Sequence, residues 1–302
     1  MIKKNKIVSV GSFDSINFEI LSKSITTLFK KNIKFLIVGD LNKIKKNFSL
    51  YNLEKIINVV DKIGIFKPNM INVYDSKKHK RKNSIEILDD ISIAYEIAVK
   101  SDSDLITMPI NKSEIKKKIN FNGVTEYLGK LNKTKTYMIM KGNLFSIIPL
   151  TTHIPLKKVS KNFINKLNDL EILMKYLKNN NIQYRNIIFL GINPHAGEGG
   201  TIGNEEKLIR STIKRLRRKF KDYNFSGPVS ADSAFKKIKT KCLYISAYHD
   251  QGLIPFKILN KTQVNFTIGL KVRRFSPAHG TAKDIKNKNK AQTESFIECM
   301  KI

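Results

Sequence analysis

Short, uninterrupted apolar runs alternating with stretches of helical periodicity most restrict what this chain can fold into. The runs fall at 6–10, 34–39, 71–74, 104–108, 136–140, 145–150, 186–192, 243–247 and 264–269. They carry Ile, Val, Leu and Phe on both alternating positions, so each reads as a strand covered on both faces, as in parallel sheets. Between them, 18–30, 85–100, 162–178 and 205–221 space their apolar residues at intervals of three and four, as amphipathic helices do. This alternation predicts an α/β fold with mostly parallel sheets and flanking helices. At 302 residues there is room for two such units or one large one. The segment 75–83 (DSKKHKRKN), which contains His79, reads as an exposed, solvated insertion.

Composition excludes several classes. With 41% hydrophobic residues gathered in blocks, the chain can bury a core, which argues against disorder. Cys242 and Cys299 are the only cysteines, too few for a disulfide scaffold. No apolar stretch reaches the ~20 residues that cross a bilayer, and the opening lacks a signal-peptide core. A soluble, cytoplasmic protein with no membrane partner is expected.

The balance of 56 Lys+Arg against 25 Asp+Glu gives a net charge of +31, the footprint of a polyanion binder. Its densest run, Lys214 to Lys221, instead fits an amphipathic surface helix, with Leu208, Ile209, Ile213, Leu216 and Phe220 on the opposite face. No zinc-finger spacing, RNP-like motif or basic zipper is present. A basic nucleic-acid-binding protein is therefore the alternative from another functional class, and specific nucleic-acid binding is not expected.

Three histidines share one topological position. His153, His195 and His249 each follow an apolar strand at its carboxyl end, where open α/β sheets bind ligands. Neutral imidazoles are the commonest ligands of divalent metals, and three with an open position would form a catalytic site. Asp250, beside His249, and Asp232 could hold tautomers or shuttle a proton; either could instead cap a helix. The glycine-rich turn Asn193–Gly200 could bring backbone N–H groups close to an anion. Near the C-terminus, Ser276 to Ala282 forms a Pro/Gly-punctuated loop beside Arg273 and Arg274, cations suited to phosphate or carboxylate.

These segments resemble the 4-hydroxythreonine-4-phosphate dehydrogenase family of pyridoxal phosphate biosynthesis. The resemblance rests on Pro109-Ile110-Asn111-Lys112, Thr151-Thr152-His153, Asn193-Pro194-His195-Ala196-Gly197-Glu198-Gly199-Gly200, Tyr248-His249-Asp250-Gln251-Gly252 and His279-Gly280-Thr281-Ala282, in family order. It implies the two-domain fold of the isocitrate and isopropylmalate dehydrogenases, with 1–118 plus 263–302 as the cofactor-side domain. Residues 119–262 would form the dimerisation and metal side.

It further implies a homodimer with active sites at the interface. One divalent metal (Zn, Mg, Mn or Co) would be held by His153, His195 and His249, with His249 contributed by the other subunit. Thr125, Lys257, Asn265 and Arg274 would bind a small phosphorylated amino-acid substrate. His279 and Gly280 would belong to the loop binding the adenosine part of NAD or NADP. The implied reaction is oxidation and decarboxylation of 4-phosphooxy-L-threonine to 3-amino-2-oxopropyl phosphate. A diverged paralogue that acts on, or only binds, another phosphorylated hydroxy acid is the alternative within the fold.

Three departures accompany the resemblance. The family's opening Gly-Asp-Pro-Ala-Gly-Ile-Gly-Pro-Glu reads Gly11-Ser12-Phe13-Asp14-Ser15-Ile16-Asn17-Phe18-Glu19. Val124 stands where a substrate-contacting His is expected. Ala278 replaces an Asp, and the Gly-rich stretch that follows reads Lys286-Asn287-Lys288-Asn289-Lys290.

Overall fold

A computed structural model describes residues 4–61, 66–79, 85–180, 182, 184–238 and 241–302. Its strands are β1 Lys6–Ser9, β2 Phe35–Gly39, β3 Ile57–Val59, β4 Ile71–Asp75, β5 Asp104–Thr107, β6 Tyr137–Gly142, β7 Ser146–Thr151, β8 Asn186–Leu190, β9 Asn224–Val229, β10 Cys242–Tyr248, β11 Gln263–Ile268 and β12 Arg274–Pro277. The helices are α1 Asn17–Lys30, α2 Leu41–Ser49, α3 Glu86–Lys100, α4 Lys112–Lys116, α5 Val124–Leu131, α6 Val159–Leu167, α7 Leu170–Asn179, α8 Glu205–Lys219, α9 His249–Leu259 and α10 Glu294–Lys301. The chain divides into two compact units, residues 1–136 with 264–302, and residues 137–263. No helix among the described residues is long and apolar enough to cross a membrane.

In the first unit the strand order is β3-β4-β2-β1-β5-β12-β11. All neighbours run parallel except β11 and β12, which pair antiparallel from Val264↔Pro277 to Thr267↔Arg274. Every residue of β1, β2 and β5 is buried, as strands covered on both faces must be. Helix α1 supplies part of that cover through Phe18, Leu21, Ile25 and Leu28, spaced along one face. The chain leaves β1 toward β2 on one side, and β5 flanks β1 on the other. The carboxyl ends of β1 and β5 thus form the crevice of a topological switch point.

The second unit orders its strands β6-β7-β10-β8-β9, parallel except for β6 against β7. Strands β7 and β10 are buried along nearly their whole length. Helix α8 packs Ile209, Thr212, Ile213 and Leu216 inward, leaving its cations outside as a surface helix. Leu208 departs from the expected face and is 43% exposed.

Each apolar run becomes a strand, but β3, β9 and β12 carry little apolar signal. Strand β3 spans only Ile-Asn-Val, β9 contains Gly-Pro, and β12 reads Arg-Phe-Ser-Pro. The helix expected over 162–178 is two helices, α6 and α7, separated at Asn168-Asp169. Side chains of this kind compete for backbone hydrogen bonds and favour helix ends. The expected insertion at 75–83 lies outside the described residues from 80 onward. Before that point His79 is not simply solvated: its Nε2 hydrogen-bonds the Tyr74 hydroxyl at 2.8 Å and the two rings stack.

One buried charge cluster joins β1, β5 and the entry to β12. Asp104, fully buried, accepts from Lys6 Nζ at 2.5 Å and from Arg273 Nε and Nη2 at 2.7 and 2.8 Å. Changing Asp104→Asn leaves two cations facing a neutral amide. Urea unfolding should show a loss of about 3–5 kcal/mol; an unchanged midpoint would mean the carboxylate does not hold these strands.

Candidate active site

In the second unit, β7, β10 and β8 are consecutive parallel neighbours, so their carboxyl ends share one rim. His153 follows β7, His249 opens α9 directly after β10, and His195 follows β8. The His153 and His249 rings lie 5.7 Å apart between centroids, comparable to the spacing of adjacent strands. Asp250 Oδ1 engages His249 Nδ1 at 2.6 Å, which orients the ring and leaves Nε2 for another partner. Neither aspartate caps a helix: Tyr248 caps α9, and Asp232 lies in a run of turns. The Ser230 hydroxyl bonds Asp232 and is the main reason its carboxyl lies below the ordinary range; the nearby His195 adds to the effect.

His195 lies in a backbone run that non-glycine residues seldom adopt. From His195 to Gly199 every φ is positive, between 43 and 79°. Strain of this kind persists only where surrounding contacts enforce it. Here Glu206, buried at the start of α8, accepts from the backbone N–H of Ile192 and Asn193 at 3.0 and 2.9 Å. The Asn193 amide also donates to Glu205 and Glu206, and it holds the Glu205 carboxyl below its usual range. Gln251 ties the neighbouring strand ends together, accepting from Ala247 N and donating to Gly191 O. Sequence reading missed these positioning residues, because Glu at a helix start reads only as a favourable dipole partner.

Among the described residues of one chain, no group of three His, Cys, Asp or Glu is arranged to hold an ion. The donor chemistry still fits a divalent transition metal, with imidazoles on one rim and one of them oriented by a carboxylate. Lys257, farther along α9, is exposed.

The first unit carries a different site. Arg274 is buried in β12, yet no carboxylate pairs with it among the described residues. Its guanidinium donates instead to threonine hydroxyls: Thr107 at 2.6 and 3.0 Å, Thr267 at 2.7 Å and Thr125 at 2.9 Å. Burial lowers its pKa to about 10, so it remains a cation at neutral pH. Each hydroxyl that accepts from the guanidinium keeps its own proton to donate. Thr125, the least buried of the three, shares a 3.3 Å contact with the Thr267 hydroxyl and lies at the start of α5, where the helix dipole is positive and Gly123 supplies no side-chain cap. Asn265, on β11, has a buried Oδ1 with no partner among the described residues. Arg273 is not the second open cation expected here, because its guanidinium is engaged by Asp104. Thr107 and Thr267 were also missed; their only signal is a polar residue within an apolar strand.

At the β1/β5 crevice three loops are laced together. Gly11 has φ +68°, and a Cβ there would fall 2.3 Å from Pro109 O. Ser12 N donates to Pro109 O, the buried Asn17 amide bridges Val10 O and Pro109 O, and Ile16 N donates to Thr281 O. Side-chain bonds from Asn17 and Ser15 thus shape this turn. In the third loop His279 Nδ1 bonds Gly280 O at 2.9 Å, and burial holds the ring's pKa below the usual imidazole range. Its Nε2 is buried without a partner among the described residues. An acceptor nitrogen left open in this way suits a hydroxyl or amino group of a nucleoside, and a Cβ on Gly280 would meet open space.

The sequence pattern of the pyridoxal phosphate biosynthetic protein PdxA family matches residues 17–302. The chain belongs to this family. A 4-hydroxythreonine-4-phosphate dehydrogenase of Sulfurihydrogenibium sp. is 35% identical over 315 residues, covering 98% of this chain and 96% of the relative. The Aquifex aeolicus enzyme of the same name is 32% identical with the same coverage. The crystal structure of 4-hydroxythreonine-4-phosphate dehydrogenase from Klebsiella pneumoniae matches with a TM-score of 0.78 at 26% identity, covering 98% of this chain and 97% of that one. PdxA membership and this structural likeness agree with the two-domain α/β architecture expected from the sequence.

Arg274 and Thr125 should make this PdxA chain bind phosphate. Saturating inorganic phosphate, against chloride at equal ionic strength, should raise Tm by about 2–4 °C. The Arg274→Lys variant should lose that increment, and an equal increment in the variant would remove Arg274 from the anion site.

Proposed function

We propose that the chain is a cytoplasmic, homodimeric 4-hydroxythreonine-4-phosphate dehydrogenase. It would oxidise and decarboxylate 4-phosphooxy-L-threonine to 3-amino-2-oxopropyl phosphate, using NAD and one divalent metal, in pyridoxal phosphate biosynthesis. The observation that carries this reading is Arg274: a buried cation seated on hydroxyls, at a position matched by the PdxA pattern, calls for an anionic ligand.

The residues divide the work by chemistry. Thr125 and Arg274 hold the phosphate, while the open Oδ1 of Asn265 accepts from a substrate hydroxyl or ammonium group. Lys257 supplies a further cation for the substrate's anionic groups. His153, His195 and His249 are the metal ligands, with His249 contributed across the dimer. When bound, the metal would stabilise negative charge developing on the substrate oxygen, and the nicotinamide would accept the hydride. Asp250 is committed to orienting His249, and Asp232, which the Ser230 hydroxyl keeps ionised, is the other aspartate proposed to serve the proton transfers, as a weak base. His279, neutral with Nε2 open, receives a donor from the adenosine part of the coenzyme, and Gly280 lets it approach closely.

A second reading, action on another phosphorylated hydroxy acid, is favoured by Val124. This apolar, buried residue begins α5 beside Thr125 and offers the phosphate no side-chain donor.

Purified chain with a divalent metal, NAD and 4-phosphooxy-L-threonine should produce NADH absorbance. No turnover with metal and coenzyme both bound would favour the second reading. His195→Ala should lose metal measured by atomic absorption; full retention would overturn the ligand assignment. NADH affinity should stay flat as pH falls from 8 to about 6.5, the ordinary imidazole pKa, because His279 stays neutral there. Below that, protonation turns the Nε2 acceptor into a donor and affinity should drop. A midpoint above pH 7 would contradict the burial-lowered pKa.

A further inference from the structure

Two segments that depart from the motifs the resemblance implies meet each other. Asp14, in the altered first turn, accepts from Lys283 Nζ at 2.7 Å and from Lys286 Nζ at 2.8 Å. Lys286 opens the lysine-rich stretch that replaces the family's glycines. Glu114, in α4, shares Lys283 at 3.2 Å. Two carboxylates therefore neutralise two cations immediately after the His279–Ala282 loop, which is fastened to the same first turn by Ile16 N on Thr281 O.

We propose that Asp14, backed by Glu114, makes this chain select the coenzyme lacking a 2′-phosphate by keeping Lys283 and Lys286 engaged. The proposal rests on the dehydrogenase reading, in which the His279 loop binds adenosine. A 2′-phosphate is a dianion recognised by lysine or arginine donors near the adenosine ribose. Free, Lys283 and Lys286 would be such donors. Paired, they offer little charge, and the two carboxylates beside them repel a phosphate. Lys283 and Lys286 hold the Asp14 carboxyl at a pKa of about 2, so the arrangement persists across physiological pH.

The pairs are exposed, with Asp14 60% accessible, so they add little to folding stability and their effect lies in local charge. Replacing them should therefore leave the protein folded.

Fluorescence titration of the purified full chain with NADH and NADPH tests this. The unaltered chain should bind NADH more tightly. In the Asp14→Asn, Glu114→Gln double variant the ratio of NADPH to NADH dissociation constants should fall about tenfold, as charge-assisted bonds to the 2′-phosphate become available. Adding Lys283→Gln and Lys286→Gln should remove the gain. If the double variant does not fold, Asp14→Ala alone should shift the ratio in the same direction. An unchanged ratio with NADH still bound, or a native preference for NADPH, would overturn this proposal while leaving the dehydrogenase reading intact. Binding of neither coenzyme by the unaltered chain would overturn both.

Discussion

The first unit depends on the carboxylate of Asp104. It is fully buried at the start of β5 and takes one cation from β1 and another from the residue before β12. Removing charges from water is costly unless geometry and hydrogen bonding compensate, and the two-point contact from Arg273 with a short bond from Lys6 meets that demand. Strand register follows from it. Lys6 lies opposite Asp104, Leu105 N donates to Arg273 O, and Arg274 falls opposite Leu105. Successive strand residues point to opposite faces, so fixing Arg273 on one face fixes Arg274 on the other, against Thr107, Thr125 and Thr267. The seat of the candidate anion site is thus set by an ion cluster with no part in binding.

Arg273 and Arg274 are neighbours in sequence with opposite roles. Arg273 meets a full negative charge and is spent on structure. Arg274 donates only to hydroxyls, which orient a guanidinium without neutralising it, and the Glu126 carboxylate acts on it from beyond hydrogen-bond contact, so much of its field remains available to a ligand. A count of basic residues cannot separate the two; the partner's chemistry does. The same distinction sorts the lysines near His279, where Asp14 and Glu114 absorb charge that the sequence alone leaves free.

Much of the fold was legible because fully buried parallel strands leave unbroken apolar runs. The histidine-bearing rim was legible for a related reason, since a histidine after such a run must emerge at the strand's carboxyl end. What escaped lay where the signal is polar or short. Strand β12 begins with an arginine and ends with a proline, and the residue before it is anchored by Asp104, far away in sequence. Thr107 and Thr267 become part of the anion site only once pairing brings β5, β12 and β11 together. Glu206 has no sequence signal beyond its place at a helix start, and only the fold shows it accepting from Ile192 and Asn193 N–H. The break between α6 and α7 was written in Asn168-Asp169 but masked by apolar spacing on either side.

The rim of β7, β10 and β8 has a consequence for how such a protein tolerates change. Within one chain, the placement of the three histidine-bearing strand ends is inherited from backbone hydrogen bonding between neighbouring strands, a length that surface substitutions leave unchanged. Surface helices can fill with lysine, and a glycine turn can be rewritten with serine and asparagine, while that ruler keeps its divisions. Drift in composition is thereby uncoupled from the placement of these strand ends, which lets a chain of +31 charge keep three histidines on one rim.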